Sequence, residues 1–138
     1  MAFRFGTASR VILTQCDPAI VEVCELALRG YYRTVTSVDF AVREGVRDRE
    51  TQDALYAQGL TRVKWPGSAH NKTPSQAFHA IPWHARAPHV RWGDHRAFEV
   101  MATHILGAAS VLQVPMLWGG HWKTLRDYAH FELLFGAP

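Results

Sequence analysis

SAHNKTPSQAFHAIPW, residues Ser68–Trp83, is the stretch that decides the fold of this chain. Its first half belongs to a segment over residues 65–76 that is rich in turn-forming Pro, Gly and Asn, which favours an irregular loop. Residues 79–83 predict a short strand with a proline near its end, because proline has no N–H to donate inside a sheet. The stretch therefore predicts a loop followed by a strand, with His70 on the loop and His79 on the strand.

A third histidine follows near the C-terminal end, in the sequence Asp127-Tyr-Ala-His130. A catalytic zinc typically has three protein ligands and a fourth position that is open for water. A nearby carboxylate can take the proton that this water loses. Three imidazoles and Asp127 therefore indicate a small metallohydrolase. Five other histidines are available in the chain, and they are His84, His89, His95, His104 and His121.

Capping residues and hydrophobic periodicity predict three helices and four strands. The helices are expected to begin after Asp17, Asp48 and Asp94, whose carboxylates can accept hydrogen bonds from free N–H groups of the first turn. We predict an α+β fold, a single compact domain over residues 1–138, in which helices pack on a small antiparallel sheet and the metal site lies on one face of that sheet. The strands are expected at residues 38–42, 79–83, 114–118 and 129–134.

Composition and charge narrow the class of protein. The chain has 138 residues, of which 48% are hydrophobic and 20% charged, as is ordinary for one soluble globular domain. A net charge of +3 suits an anionic partner but is too small to indicate a nucleic-acid-binding protein. Its apolar stretches are well short of the ~20 residues of a membrane span, and no secretory signal is visible. Cys16 and Cys24 lie two helical turns apart, so we expect no disulfide.

Three blocks of this sequence resemble the D-alanyl-D-alanine carboxypeptidase and L-alanyl-D-glutamate endopeptidase family of zinc peptidases, which includes many bacteriophage endolysins. The blocks are VREGVRDRETQDALYAQG (Val42–Gly59), SAHNKTPSQAFHAIPW and WGGHWKTLRDYAHFEL (Trp118–Leu133). The resemblance runs from about Asp17 to Leu133 in the order of the family. Three separated blocks together are a specific signal, whereas one block alone is weak.

The resemblance implies one zinc ion per chain, bound by His70, His79 and His130. Asp127 takes the position of the family's general base, which activates the water and later protonates the leaving amine. Arg47 takes the position of the active-site arginine, which stabilises the oxyanion or holds a substrate carboxylate.

One position departs from the family, whose second zinc ligand is usually an aspartate where this chain has His79. Histidine is itself a common zinc ligand, so three histidines can still form the site. The alternative is that His79 lies beside the site without binding, and the metal is weak or lost. In that case His121 is the leading substitute ligand.

Four further residues are candidate contacts to the substrate. Ser68 lies two residues before His70, and Gln52 lies one helical turn beyond the arginine. Trp118 and His121 belong to the third block and could line the cleft. Glu132 is expected to be a supporting carboxylate near the metal ligands.

The expected function is that of a zinc-dependent peptidoglycan peptidase, a phage endolysin that cleaves the L-alanyl-D-glutamate bond of the cell-wall stem peptide through a metal-activated water. A D-alanyl-D-alanine carboxypeptidase or dipeptidase of the same fold is the nearest alternative. A non-catalytic cell-wall or virion protein with a degenerate metal site is an alternative from another class. The resemblance further implies a monomer without a separate wall-binding domain, made in the host cytoplasm and released by a pore-forming protein.

Overall fold

A computed structural model describes residues 3–31 and 38–134 of the chain. The predicted domain over residues 1–138 extends beyond these ranges. The helices are α1 (Thr7–Leu13), α2 (Pro18–Arg29), α3 (Arg49–Ala57) and α4 (His95–Val111). The strands are β1 (Phe40–Glu44), β2 (Ala77–Pro82), β3 (Met116–Trp118) and β4 (His130–Leu133). Two short 3-10 helices cover Ala69–Asn71 and Gly119–His121.

The three predicted helices begin where their capping residues indicate. The carboxylate of Asp17 accepts from the N–H of Ala19 at 2.9 Å, and Pro18 fills the first helical position of α2. Asp48 and Asp94 cap α3 and α4 in the same way, at 2.8 and 3.1 Å. α1 was not predicted, because it has seven residues and its N-cap, Gly6, provides no side-chain cap.

The four strands form one antiparallel sheet in the order β1-β2-β4-β3. β2 begins at Ala77, two residues before the predicted start, because Ala77 pairs with Glu132 of β4. The α+β fold is confirmed, and so is the antiparallel sheet with helices packed against it. In the described part of the chain, no helix has the length and apolar character needed to cross a membrane.

The two faces of the sheet have different characters because successive side chains of a strand alternate in direction. Phe78 and Phe131 pair across β2 and β4, are fully buried, and stack with their ring centroids 5.2 Å apart. They join one core with apolar side chains of α2 and α4. The next pair across the same strands is His79 and His130, which faces away from this core.

Candidate metal centre and catalytic cleft

Three histidines from separate segments meet on the sheet face that lies away from the core. His79 and His130 are directly paired on β2 and β4, and His70 comes from the 3-10 helix before β2. One ring nitrogen of each lies within 4.8 Å of the others. His130 Nδ1 is 3.3 Å from His70 Nε2 and 3.4 Å from His79 Nε2. The predicted convergence of these three imidazoles is therefore observed.

The other ring nitrogen of each histidine faces an acceptor. His70 Nδ1 donates to the carbonyl oxygen of Gly45 at 2.7 Å, and His130 Nε2 donates to Glu132 Oε1 at 2.8 Å. His79 Nδ1 lies 3.9 Å from Glu44 Oε1. A donated N–H leaves the opposite ring nitrogen with a free lone pair, so these two hydrogen bonds leave one nitrogen of His70 and one of His130 available to a metal ion.

Burial keeps two of these imidazoles neutral. The pKa of His70 is lowered from 6.5 to about 2, chiefly by burial and then by the proximity of His79. Burial also lowers the pKa of His79, against the opposing effect of Asp127 and Glu44. Neutral imidazole is the form that binds metal, and one nitrogen of each of the three rings lies within 4.8 Å of the others. The donor set therefore fits a zinc ion.

A bulge in β1 brings a carboxylate to this site. Val42 pairs with Ala80, so regular pairing would place Arg43 opposite His79. The register shifts between Val42 and Glu44, and Glu44 pairs with His79 instead. The bulge thus replaces a cation by a carboxylate, whose Oε1 is 3.6 Å from His70 Nε2.

The loop that carries His70 is fixed by hydrogen bonds to the segment after β1. Ser68 caps the 3-10 helix, and Asn71 completes a reciprocal capping box with it. The carbonyl oxygen of His70 accepts from the N–H of Arg47 at 2.7 Å. Asn71 Nδ2 donates to the carbonyl oxygen of Arg47 at 3.1 Å. Ser68 therefore holds the loop as well as lining the cleft.

Asp127 lies beside the three histidines, with its Oδ2 atom 3.7 Å from His79 Nε2. The turn after β3 holds it there, since the N–H of Asp127 donates to the carbonyl oxygen of Gly119 at 3.1 Å. A Cβ atom on Gly119 would lie 2.5 Å from the carbonyl oxygen of Asp127. Only glycine permits this approach, so Gly119 positions the predicted base.

Arg47 is almost fully buried at the edge of the cleft. Its guanidinium forms an ion pair with Glu44 and donates to Gln52 Oε1 at 3.0 Å, while its Nε has no partner among the described residues. Gln52 is completely buried and also donates to the carbonyl oxygen of Val63 at 2.6 Å. The structure thus places Gln52 behind Arg47, from where it orients the guanidinium.

The histidines open into a cleft of about 420 Å³. One of its walls is partly apolar, and the side chains there include Leu60, Val63, Trp122 and Leu125. Trp122 packs on His130 with ring centroids 5.0 Å apart.

Trp118 and His121 do not line this cleft. Both border a separate cavity of about 740 Å³ beside α4. Trp118 is only 6% exposed, and its Nε1 donates to the carbonyl oxygen of Tyr128 at 2.8 Å. His121 is not part of the cluster of possible metal ligands in the described ranges, which is formed by His70, His79 and His130. The predicted substrate contacts of Trp118 and His121 stay predictions.

Sequence reasoning missed two residues of the site, Glu44 beside the histidines and Arg62 on the lining of the cleft. Glu44 lies within the first sequence block but was given no role there, and only the bulge turns it toward the site. Arg62 is exposed on the loop after α3 and lines the cleft. An exposed arginine in a loop gives no signal that distinguishes it from a solvated surface charge.

The chain is similar to known peptidases over nearly its whole length. The family model described as phage L-alanyl-D-glutamate peptidase matches residues 1–134. The crystal structure of the L-Ala D-Glu endopeptidase ChiX of Serratia marcescens matches with a TM-score of 0.81 and 30% sequence identity. The match covers 97% of this chain and 92% of that chain. No curated protein matches the sequence. The family resemblance drawn from the three sequence blocks is confirmed, and the chain belongs to the phage L-alanyl-D-glutamate peptidase family.

Proposed function

We propose that this protein is a zinc-dependent peptidoglycan peptidase that hydrolyses the L-alanyl-D-glutamate bond of the cell-wall stem peptide and acts as a phage endolysin. The convergence of three imidazole nitrogens within 4.8 Å of one another, with a carboxylate beside them, carries this proposal. Membership of the family supports the choice of bond. The same membership supports a role in lysis, in which the protein is made in the host cytoplasm and reaches the wall through a pore.

His70, His79 and His130 would hold the zinc ion. When bound, zinc makes a water molecule more acidic and polarises the carbonyl of the scissile bond. Asp127 would take the proton of the attacking water on its carboxylate and pass it to the amide nitrogen, which leaves poorly until it is protonated. The guanidinium of Arg47 would stabilise negative charge that develops on the carbonyl oxygen.

A carboxylate lies beside the histidine that replaces the family's aspartate at position 79. A neutral ligand leaves the metal site one charge more positive than the family pattern. Glu44 Oε1 lies 3.9 Å from His79 Nδ1 and would supply negative charge next to the metal without being a ligand. Asp127, 3.7 Å from His79 Nε2, already belongs to the family pattern as the general base, so it does not compensate for the change.

Metal content and peptide hydrolysis, measured together, test the proposal. We expect one zinc per chain by elemental mass spectrometry, and cleavage between L-alanine and D-glutamate in a purified stem peptide. His79→Ala should lose most of the zinc and the activity. Asp127→Ala should keep the zinc and lower kcat by about 10²- to 10⁴-fold, the usual contribution of a general base. His89→Ala, on an exposed loop outside the cleft, is the matched control.

Three outcomes would contradict the proposal or its assignment of ligands. Release of free D-alanine without cleavage after L-alanine would make the protein a carboxypeptidase of the same fold. Absence of zinc from the wild type, together with no effect of Asp127→Ala in a lysis assay, would make it a wall-binding protein. Full zinc occupancy in His79→Ala would remove His79 from the ligand set.

A further inference from the structure

We propose that Arg62 binds the free carboxylate of the glutamate residue that follows the scissile bond. The protein would thereby select substrates in which this carboxylate is not amidated. This inference rests on the proposed function, since it concerns the substrate of the same cleft. It assigns a specificity role to a residue outside the metal centre.

The substrate chemistry requires such a group. Glutamate has two carboxyl groups, and only one of them can continue the peptide chain. The other remains as a carboxylate one residue from the bond that is cut. A cleft that binds this residue must either place a cation near the carboxylate or leave the carboxylate in water, because burying an unpaired charge is costly.

Asp127 indicates on which side of the cleft the glutamate residue lies. The carboxylate that delivers a proton to the leaving nitrogen must lie close to that nitrogen, which belongs to the glutamate. The segment that leads into Asp127 lines the same cleft through Thr124 and Leu125. The glutamate residue would therefore lie against this segment.

Arg62 reaches this segment from the loop that follows α3. Its Nη1 atom donates to Thr124 Oγ1 at 3.3 Å, across 62 positions of sequence. The guanidinium is exposed and borders the cleft. Among residues 3–31 and 38–134, no ion pair joins Arg62 to a carboxylate. Thr124 accepts from one of the five N–H donors of Arg62. The remaining donors can still form a bidentate pair of hydrogen bonds with a carboxylate.

Arg47 is the other arginine that lines the cleft, and its guanidinium already has partners within the protein. It is paired with Glu44 and bonded to Gln52, and its side chain is 9% exposed. The two carboxylates that line the cleft are also found at the histidine end, with Asp127 beside His79 and Glu132 on His130. The cation that remains available to bind a substrate carboxylate is therefore the guanidinium of Arg62.

The test compares two peptides that differ only in this group, an L-alanyl-D-glutamyl peptide and its D-isoglutaminyl counterpart. For the wild type we expect kcat/KM to be about 10- to 100-fold higher for the free acid, the usual effect of a charge-assisted hydrogen bond. Arg62→Met should reduce this preference to within about threefold while leaving cleavage of the amide nearly unchanged, and Arg62→Lys should restore part of it. Arg49→Met, an exposed arginine on α3 outside the cleft, should behave like the wild type.

A preference that persists in Arg62→Met, or an equal loss of activity on both peptides, would overturn the inference while leaving the proposed function intact. If the wild type hydrolyses neither peptide, the proposed function fails instead. Calorimetric dissociation constants for the same two peptides then decide the role of Arg62. Tighter binding of the acid, abolished in Arg62→Met, would support it, and equal binding would refute it.

Discussion

The three histidines of the cleft are oriented through the ring nitrogens that point away from one another. His70 is held by the carbonyl oxygen of Gly45, and His130 by the carboxylate of Glu132. Such partners fix the tautomer, set the ring orientation and raise the basicity of the ligand nitrogen. The affinity for metal therefore depends on residues that do not touch it.

Glu132→Ala should weaken zinc binding by about 10- to 100-fold, because His130 would lose the acceptor of its Nε2–H. Zinc dissociation constants, measured by competition with a chromophoric chelator, check this expectation. Glu99→Ala is the control, since Glu99 lies on α4 and borders the separate cavity. Unchanged affinity in Glu132→Ala would mean that the strand alone positions His130.

At the level of residues, the candidate metal ligands could be predicted from the sequence, whereas the side chains that lie beside them could not. Imidazoles at His70, His79 and His130 could be recognised because ligand chemistry is a property of the residue itself. Glu44 reaches the site only because β1 shifts register, which depends on pairing with a strand 35 residues later. Contacts set by tertiary pairing have no local signal, and Arg62 was missed for the same reason.

The turn between β3 and the loop of Asp127 shows how one element positions another. Gly119 has no Cβ, and the chain that carries Asp127 passes within 2.5 Å of where a Cβ atom would lie. His130, at the start of β4, is also close to this point. Gly119 therefore controls the distance between Asp127, the predicted base, and His130, a predicted metal ligand.

Gly119→Ala should lower kcat by about tenfold or more, because the added methyl group must displace the backbone of Asp127 and a shift of about 1 Å can cost 10²-fold. Steady-state kinetics on the stem peptide, read beside zinc content, measure the effect. Gly93→Ala is the control, since nothing lies within 4 Å of the Cβ that it would add. Wild-type kcat in Gly119→Ala would show that the turn adapts without moving Asp127.

The three helices with a capping signal were predicted, and the helix without one, α1, was not. Asp17, Asp48 and Asp94 each accept from the first turn of the helix that they were expected to start. α1 has only seven residues and no side-chain cap, so its formation depends on packing against β1. The Oγ atom of Ser9 accepts from the N–H of Val42 at 3.0 Å and fixes that contact.

At the scale of the whole molecule, the α+β fold class could be predicted because the sequence marks short strands and capped helices, and because three blocks resemble one family. The sheet order did not follow, because β4 inserts between β2 and β3 through contacts that no local pattern encodes. This order brings two histidines to adjacent strands. The free energy of folding therefore depends in part on this buried cluster of polar side chains.

The metal-free protein should lose stability as the pH falls below 6.5. In the folded chain, burial lowers the pKa of His70 to about 2 and also lowers that of His79. Below pH 6.5 these histidines bind protons in the unfolded chain but stay neutral in the folded chain. The free energy of unfolding therefore decreases by up to about 1.4 kcal/mol per pH unit for each such histidine. The full contribution is present above pH 6.5 and is lost progressively toward pH 2.

Urea denaturation with a chelator at pH 7.5 and pH 5.5 measures this loss. His70→Gln should flatten the dependence, because the titrating group is gone, while His89→Ala should retain it. Equal stability of the wild type at the two pH values would contradict the expectation. At pH 7.5, zinc added in place of the chelator should raise the free energy of unfolding, since a ligand that binds only the folded state stabilises it by mass action.

The distance in sequence between β2 and β4 has a consequence during synthesis. His79 and His130 are 51 positions apart, although they are neighbours in the sheet. A nascent chain that ends within α4 or β3 has only two of the three imidazoles, and its β2 lacks the strand that covers it. With the metal centre proposed above, we expect hydrolytic activity only after β4 has left the ribosome and docked. Translation that stops early should then release an inert fragment rather than a partly active peptidase.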